Sequence, residues 1–174
     1  MTIPNILSSL RLILAFVIGY LLFANQKLPA IILIIVAWIT DLLDGYLARQ
    51  LNAISELGKI LDPLADKLLV LIIVISLLLN NTITTSTGIF VIMRDLIILG
   101  AGLVAARKYK FVIPSNIIGK ISAFLIGLCL FVILLLPSIS IKYYLEIIID
   151  IVVSISLVLY SFYYFRWINK LKTS

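Results

Sequence analysis

Four aspartates, Asp41, Asp44, Asp62 and Asp66, stand at spacings i, i+3, i+21 and i+25 in the stretch DLLDGYLARQLNAISELGKILDPLADK. The chain has eight acidic residues, and five of them fall within these 27 positions, a density that asks for a chemical reason. Residues three or four apart share a helix face. Asp41 with Asp44, and Asp62 with Asp66, therefore each present a pair of carboxylates on one side of a helix. Two such turns facing each other would make a cage of hard oxygen donors. Gathered carboxylates repel one another unless cations neutralise them. Oxygen donor sets suit Mg2+, Mn2+ or Ca2+, and Mg2+ is commonly shared between carboxylates and substrate phosphates. The pattern points first to a metal-phosphate site. Aspartates in an apolar chain can also relay protons or ions, and a DxxD pair alone leaves both readings open.

The neighbours of the aspartates favour the first reading. Gly45, directly after Asp44, lets a ligand come close to the backbone, which suits a nucleotide more than a proton path. Gly45 or Gly58 could instead serve tight helix packing or a loop turn. Arg49 lies one turn beyond Gly45 and can share the face of Asp41 and Asp44, where a guanidinium suits a diphosphate oxygen. An arginine at a helix end is also an ordinary topology signal. Further along, Arg94 and Lys120 are cations just inside apolar stretches, where a charge needs a partner. Asp95, at i+1, is not on Arg94's face, so an anionic ligand or another helix is the expected partner. Snorkelling to headgroups is the alternative for Lys120. With Arg107, Lys108 and Lys110 nearby, these residues are candidates for a phosphate-bearing acceptor.

The elements that carry these residues are apolar. Of the 174 residues, 63% are hydrophobic and 13% charged, and the mean hydropathy is +1.24, well above soluble globular proteins. An integral membrane protein is expected. The one cysteine, Cys129, sits in an apolar run, so no disulfide framework is expected. There is no histidine, which leaves acid-base chemistry to carboxylates, lysine or tyrosine. The formal charge of +6 suits anionic headgroups and phosphorylated substrates at membrane edges, so no nucleic-acid partner is expected. The first apolar stretch runs into Asn25-Gln26-Lys27 without a small-residue cleavage pattern and reads as a retained helix.

Taken in order, MTIPN is a short N-terminal interfacial segment in which Pro4 suits a first helical turn. Asn5, Ser8, Ser9 and Arg11 give the first helix a polar side before Leu12 to Phe23 turns apolar. A turn over 25–29 leads to a second helix ending near Arg49. A polar loop over 50–61 precedes a third helix opening at Asp62-Pro63. Further spans are predicted over about 88–106, 117–136 and 143–165, with Tyr160, Tyr163, Tyr164 and Trp167 as an interfacial aromatic belt. Six transmembrane helices put both termini on one side. The basic residues Arg49, Lys59, Arg107, Lys108, Lys110, Arg166, Lys170 and Lys172 fall there, against Lys27 and Lys142 opposite. The positive-inside rule then turns the termini and the aspartates to the cytoplasm. Residues 1–174 read as a single all-α polytopic domain. Glu146 and Asp150, near the far end of the sixth span, receive no catalytic role.

The pattern Asp41-x2-Asp44-Gly45-x2-Ala48-Arg49-x8-Gly58-x3-Asp62-x3-Asp66 resembles the full signature of the CDP-alcohol phosphotransferase family. Arg94-Asp95, Ser115 and Gly119-Lys120 most resemble its members that make phosphatidylglycerophosphate. The resemblance implies that glycerol 3-phosphate attacks the β-phosphorus of CDP-diacylglycerol and releases CMP. It also implies two Mg2+ ions, with Mn2+ an alternative, on Asp41, Asp44, Asp62 and Asp66, and Asp66 as the base. Asn5, Gly45, Ala48, Arg49, Ser55 and Gly58 would bind CDP-diacylglycerol, while Arg94, Arg107 and Lys120 would bind the acceptor phosphate. Further implications are a homodimer among membrane lipids and a place in the inner (cytoplasmic) membrane, with the site facing the cytoplasm. The chain departs from the pattern in Asp95, where a glutamate is usual, and in Ser122 and Ala123, where a lysine and a threonine are usual. These departures bear on the acceptor. Inositol phosphate, or phosphatidylglycerol as in cardiolipin synthesis, are the alternatives within the family. Outside it stand an aspartate-rich Mg2+-dependent prenyltransferase and a divalent-cation transporter, which would hold its carboxylates nearer the bilayer midplane.

Overall fold

The computed structural model describes the backbone of residues 3–50, 58–109, 117–136 and 138–173. Side chains of 3–8, 41–50, 58–66, 103, 105–109, 118 and 168–173 lie outside the description. Among the described residues the chain is all-α: α1 Ile3–Phe23, α2 Lys27–Gln50, α3 Gly58–Leu79, α4 Thr85–Tyr109, α5 Ile117–Leu135 and α6 Ile139–Thr173. Two apolar segments are long enough to cross a membrane, Thr85–Gly102 in α4 and Ile139–Trp167 in α6; the described apolar parts of the other helices are shorter.

The boundaries have local causes. Asn25 (φ 56°) and Asn81 (φ 52°) both adopt the left-handed conformation. After α1, Gln26 N–H donates to Leu21 O at 2.8 Å and Asn25 N–H to Leu22 O at 3.0 Å; after α3, Thr82 pairs with Leu77 at 2.8 Å and Asn81 with Leu78 at 3.0 Å. Each is a Schellman cap, with the short polar asparagine taking the position that glycine usually fills. Helices α3, α4 and α6 run longer than predicted. Helix α3 begins at Gly58, not Asp62, because Lys59, Ile60 and Leu61 are good enough helix residues to extend it upstream of Pro63. Helix α6 continues past Phe165 to Thr173, since the basic tail contains no glycine or proline to stop it.

The chain divides into two compact units, Met1–Thr82 and Ile83–Ser174. In the first, α1 packs against both α2 and α3. Its inward stripe is Arg11, Ala15, Ile18, Gly19 and Leu22, at helical spacing and all buried. Gly19 is there for close approach: a Cβ at this position would collide with Ile72 Cγ2. Ser76 Oγ donates to Ile72 O at 2.8 Å and lies 3.4 Å from Gly19 O, and Asn80 Nδ2 donates to Leu22 O at 2.5 Å. The last bond satisfies a carbonyl at the end of α1.

In the second unit α6 packs against both α4 and α5. Each helix buries an apolar stripe ending in polar residues: Thr87-Val91-Arg94 on α4, Ser122-Ile126-Cys129-Ile133 on α5 and Glu146-Ile149-Val153-Ser156 on α6. At the α4 start, Glu146 Oε1 accepts the Thr84 N–H at 3.1 Å, and Thr87 Oγ1 donates to Asp150 Oδ2 at 3.2 Å. A carboxylate at a helix N-terminus meets the positive end of the helix dipole. Large apolar side chains cover the outward faces, among them Phe16, Tyr20, Phe124, Ile151, Ile155 and Phe162.

Candidate active site

The aspartate signature divides between two helices of the first unit. Asp41, Asp44, Gly45, Ala48 and Arg49 lie in the C-terminal half of α2, and Asp62 and Asp66 in the opening turns of α3, whose first residue is Gly58. Helix α1 sets their level. It is joined to α2 by the tight turn around Asn25, so residues near Asp41 and Asp44 on α2 run back toward the first turns of α1. Against α3, Gly19 meets Ile72 and Ser76, and Leu22 meets Asn80. Carrying that offset down the helices brings Asp62 and Asp66 to the same first turns. All four aspartate positions thus belong to one end of a three-helix unit, which is where Asn5 also stands.

The side chains of Asn5, Asp41, Asp44, Gly45, Ala48, Arg49, Gly58, Asp62, Asp66 and Arg107 lie outside the described residues, and Ser55 lies outside them altogether. Among the described residues no three His, Cys, Asp or Glu gather as a metal site. Chemically, four aspartates with no histidine in the chain offer hard oxygen donors, which fits a divalent cation of the Mg2+ type and not a soft-ligand metal.

One residue at this end is more than the polar helix side its sequence neighbours suggest. Arg11 is 2% exposed, at the foot of the α1 stripe and level with the aspartate turns. Its spacing of four and eight residues from Ala15 and Gly19 was the signal that would have found it. A guanidinium enclosed in this unit raises the local positive potential where anionic groups gather.

The second unit resolves the other candidate cations. Arg94, also 2% exposed, is held on every edge. Its Nη1 lies 2.6 Å from Asp95 Oδ1, Nη2 donates to Ser122 Oγ at 2.5 Å and to Gly119 O at 3.3 Å, and Nε and Nη2 approach Ser156 Oγ at 3.3 and 3.2 Å. This corrects the expectation that Asp95 could not serve as partner. Adjacent Cβ atoms point apart on a helix, but the long arginine stem folds back along the helix far enough for its head to meet the neighbouring carboxylate. The alternative expectation, a partner on another helix, holds as well, through Ser122 on α5 and Ser156 on α6. Lys120 is exposed in the first turn of α5, next to the Gly119 carbonyl that Arg94 binds. The geometry brings Arg94 and the Gly119-Lys120 turn together. Arg107 lies near the C-terminal end of α4.

A family model for CDP-alcohol phosphatidyltransferase matches residues 1–162. The chain is 33% identical over 132 residues to the CDP-diacylglycerol–glycerol-3-phosphate 3-phosphatidyltransferase of Aquifex aeolicus, covering 75% of this chain and 74% of that protein. It is 31% identical over 157 residues, 88% of each chain, to the protein of the same name from Rickettsia typhi. It is also 44% identical over 101 residues to the CMP-forming cardiolipin synthase of Rattus norvegicus, a match that takes in 58% of this chain and 33% of that longer protein.

Proposed function

This chain belongs to the CDP-alcohol phosphatidyltransferase family, and from that premise we propose that it transfers the phosphatidyl group of CDP-diacylglycerol to glycerol 3-phosphate, yielding phosphatidylglycerophosphate and CMP. The observation that carries the reading is the unbroken aspartate signature on α2 and α3, in a chain similar over 88% of its length to a protein named for this reaction.

In this reading Asp41, Asp44 and Asp62 hold two divalent cations, Mg2+ or Mn2+, with Asp66 shared between metal and chemistry. When bound, the ions neutralise the diphosphate and stabilise the departing CMP. Asn5, Gly45, Ala48, Arg49, Ser55 and Gly58 bind CDP-diacylglycerol. Asp66 accepts the proton of the acceptor hydroxyl as its oxygen bonds to the β-phosphorus and the bond from that phosphorus to the CMP oxygen breaks. Arg94, Arg107 and Lys120 bind the acceptor's own phosphate, a charged clamp on a non-reacting group that keeps the nucleophile in line. The whole chain works as one catalytic domain of six transmembrane helices, as a homodimer in the inner membrane, with its aspartates facing the cytoplasm. The exposed apolar helix faces and the excess of basic residues on the terminal side support that placement.

A second reading takes phosphatidylglycerol as acceptor and cardiolipin as product. One observation favours it: the neutral Ser122 stands against Arg94 where a lysine is usual in the phosphatidylglycerophosphate-forming members. One positive charge fewer at this place suits the single charge of a phosphodiester better than a phosphomonoester dianion. The test is CMP release by the purified protein with CDP-diacylglycerol and Mg2+, comparing glycerol 3-phosphate, phosphatidylglycerol and inositol phosphate. Release driven by glycerol 3-phosphate alone supports the first reading, release driven by phosphatidylglycerol supports the second, and no release with any acceptor sinks both.

A further inference from the structure

Ser156 Oγ lies 3.3 Å from Arg94 Nε, 3.2 Å from Arg94 Nη2 and 3.1 Å from Ser122 Oγ. Ser156 and Arg94 are each 2% exposed, and Ser122 5%, so water does not stand in for any of these contacts. The hydrogen-bond directions can be assigned. Each hydroxyl has one proton to give. Ser122 Oγ is 3.1 Å from Gly119 O, a carbonyl that can only accept. If Ser122 donates there, Ser156 donates to Ser122, and both hydroxyl oxygens keep lone pairs for the guanidinium. With the reverse direction, the Ser122 proton goes to Ser156, Gly119 O keeps only the 3.3 Å bond from Arg94 Nη2, and the Ser156 proton has no acceptor within the cluster. The first arrangement satisfies every group and forms a relay from Ser156 through Ser122 to the Gly119 carbonyl, with Arg94 lying along it.

The relay joins three helices: Arg94 on α4, Gly119 and Ser122 on α5, and Ser156 on α6. It therefore fixes the plane of the guanidinium and the first turn of α5, from which Lys120 projects. A guanidinium needs its edges held to present a defined remaining face, and side chains locked by a supporting shell of hydrogen bonds are what give a binding site its precision. Neither serine belongs to the aspartate signature, and Ser156 stands 62 residues from Arg94 in sequence.

Resting on the acceptor-site reading above, we infer that Ser156 is a positioning residue for the acceptor: its hydroxyl, acting through Ser122, orients Arg94 and the Gly119-Lys120 turn. The group it serves is the anionic phosphate of the acceptor alcohol, and it does not touch the nucleotide lipid.

The experiment compares S156A, S156V and S156T with the unaltered protein in detergent micelles containing CDP-diacylglycerol, with whichever of glycerol 3-phosphate and phosphatidylglycerol the unaltered protein uses. Removing a hydrogen bond to a charged group should raise the acceptor KM roughly tenfold in S156A and S156V, with the KM for CDP-diacylglycerol unchanged. Valine and threonine occupy nearly the same volume, so any crowding at this buried site affects both, and the hydroxyl of S156T should recover acceptor KM relative to S156V. An S156A protein with unaltered acceptor KM would overturn the inference. So would variants that raise both KM values together, or equal losses in S156V and S156T, since those are the marks of a packing role. Absence of CMP release from the unaltered protein would overturn the functional reading and this inference with it, an outcome distinct from an active protein indifferent to Ser156.

Discussion

Arg94 and Asp95 are consecutive residues of α4, yet their side chains meet, Nη1 to Oδ1 at 2.6 Å, with the arginine buried and the aspartate side chain 18% exposed. Removing one member of such a pair leaves a charge enclosed without its counter-ion. Asp95→Asn is therefore expected to destabilise the protein by about 2 kcal/mol, below the figure for a fully enclosed pair because Asp95 keeps some exposure. Thermal unfolding in detergent would measure it, and an unchanged midpoint would mean the pair carries no stability.

The aspartates make a prediction of different form. Asp66→Asn should lower the rate of CMP release by a factor of about 100 or more, the usual contribution of a general base, while CDP-diacylglycerol still binds. Asp41→Asn and Asp44→Asn should instead shift the Mg2+ concentration needed for half-maximal rate upward. Titrating Mg2+ and Mn2+ against each variant separates the roles: saturating metal should restore much of the rate in Asp41→Asn and Asp44→Asn but not in Asp66→Asn, whose base is gone, and equal recovery of all three at high metal would contradict the division proposed.

Gly19 supplies a test of the α1–α3 contact. A methyl group there meets Ile72 Cγ2, which sits on a stiff branched carbon. Overpacking typically costs about 1–3 kcal/mol, against a gain of about 1 kcal/mol in helix propensity, so Gly19→Ala should be neutral to destabilising. The sharper measurement is the double-mutant cycle with Ile72→Ala, in which the glycine substitution should cost less once that methyl group is gone. Additive effects would place the contact elsewhere.

Glu146 accepts the Thr84 N–H at the start of α4 while its side chain is only 6% exposed. Truncation by Glu146→Ala leaves that amide without its partner and should cost about 1–3 kcal/mol. Glu146→Gln keeps an acceptor oxygen and should cost less. Neither should alter KM for the acceptor, because Glu146 lies at the end of the α6 stripe opposite Ser156. A change in KM without a change in stability would assign this end of the unit to substrate.

Nearby, one oxygen of Asp150 is buried without a hydrogen-bond partner, while the other accepts from Thr87. Asp150→Asn keeps an oxygen for Thr87 and removes the charge, so stability should hold or rise. A loss in the melting experiment would show that the charge itself is required.

The helices and the aspartate signature were legible in the chain because both are written in short-range order. Apolar runs of helical length, Asn25 and Asn81 as stops, and carboxylates three and four apart depend only on the periodicity of one helix. The all-α class, the six helices and the family followed from that. What could not be read locally was which polar residues become buried, and against what. Arg11 belongs to a polar helix side in the sequence, and only the folded chain buries it. Arg94 called for an anionic ligand or another helix, and only the packing of three helices decided that Asp95, Ser122 and Ser156 stand around it. Ser156 gave no signal at all in an apolar run. The partner of a buried charge is chosen by which helix faces meet, here across 28 and 62 positions of sequence. An unpaired polar group in an apolar interior costs enough that this long-range choice, and not the local pattern, decides how the cation is held.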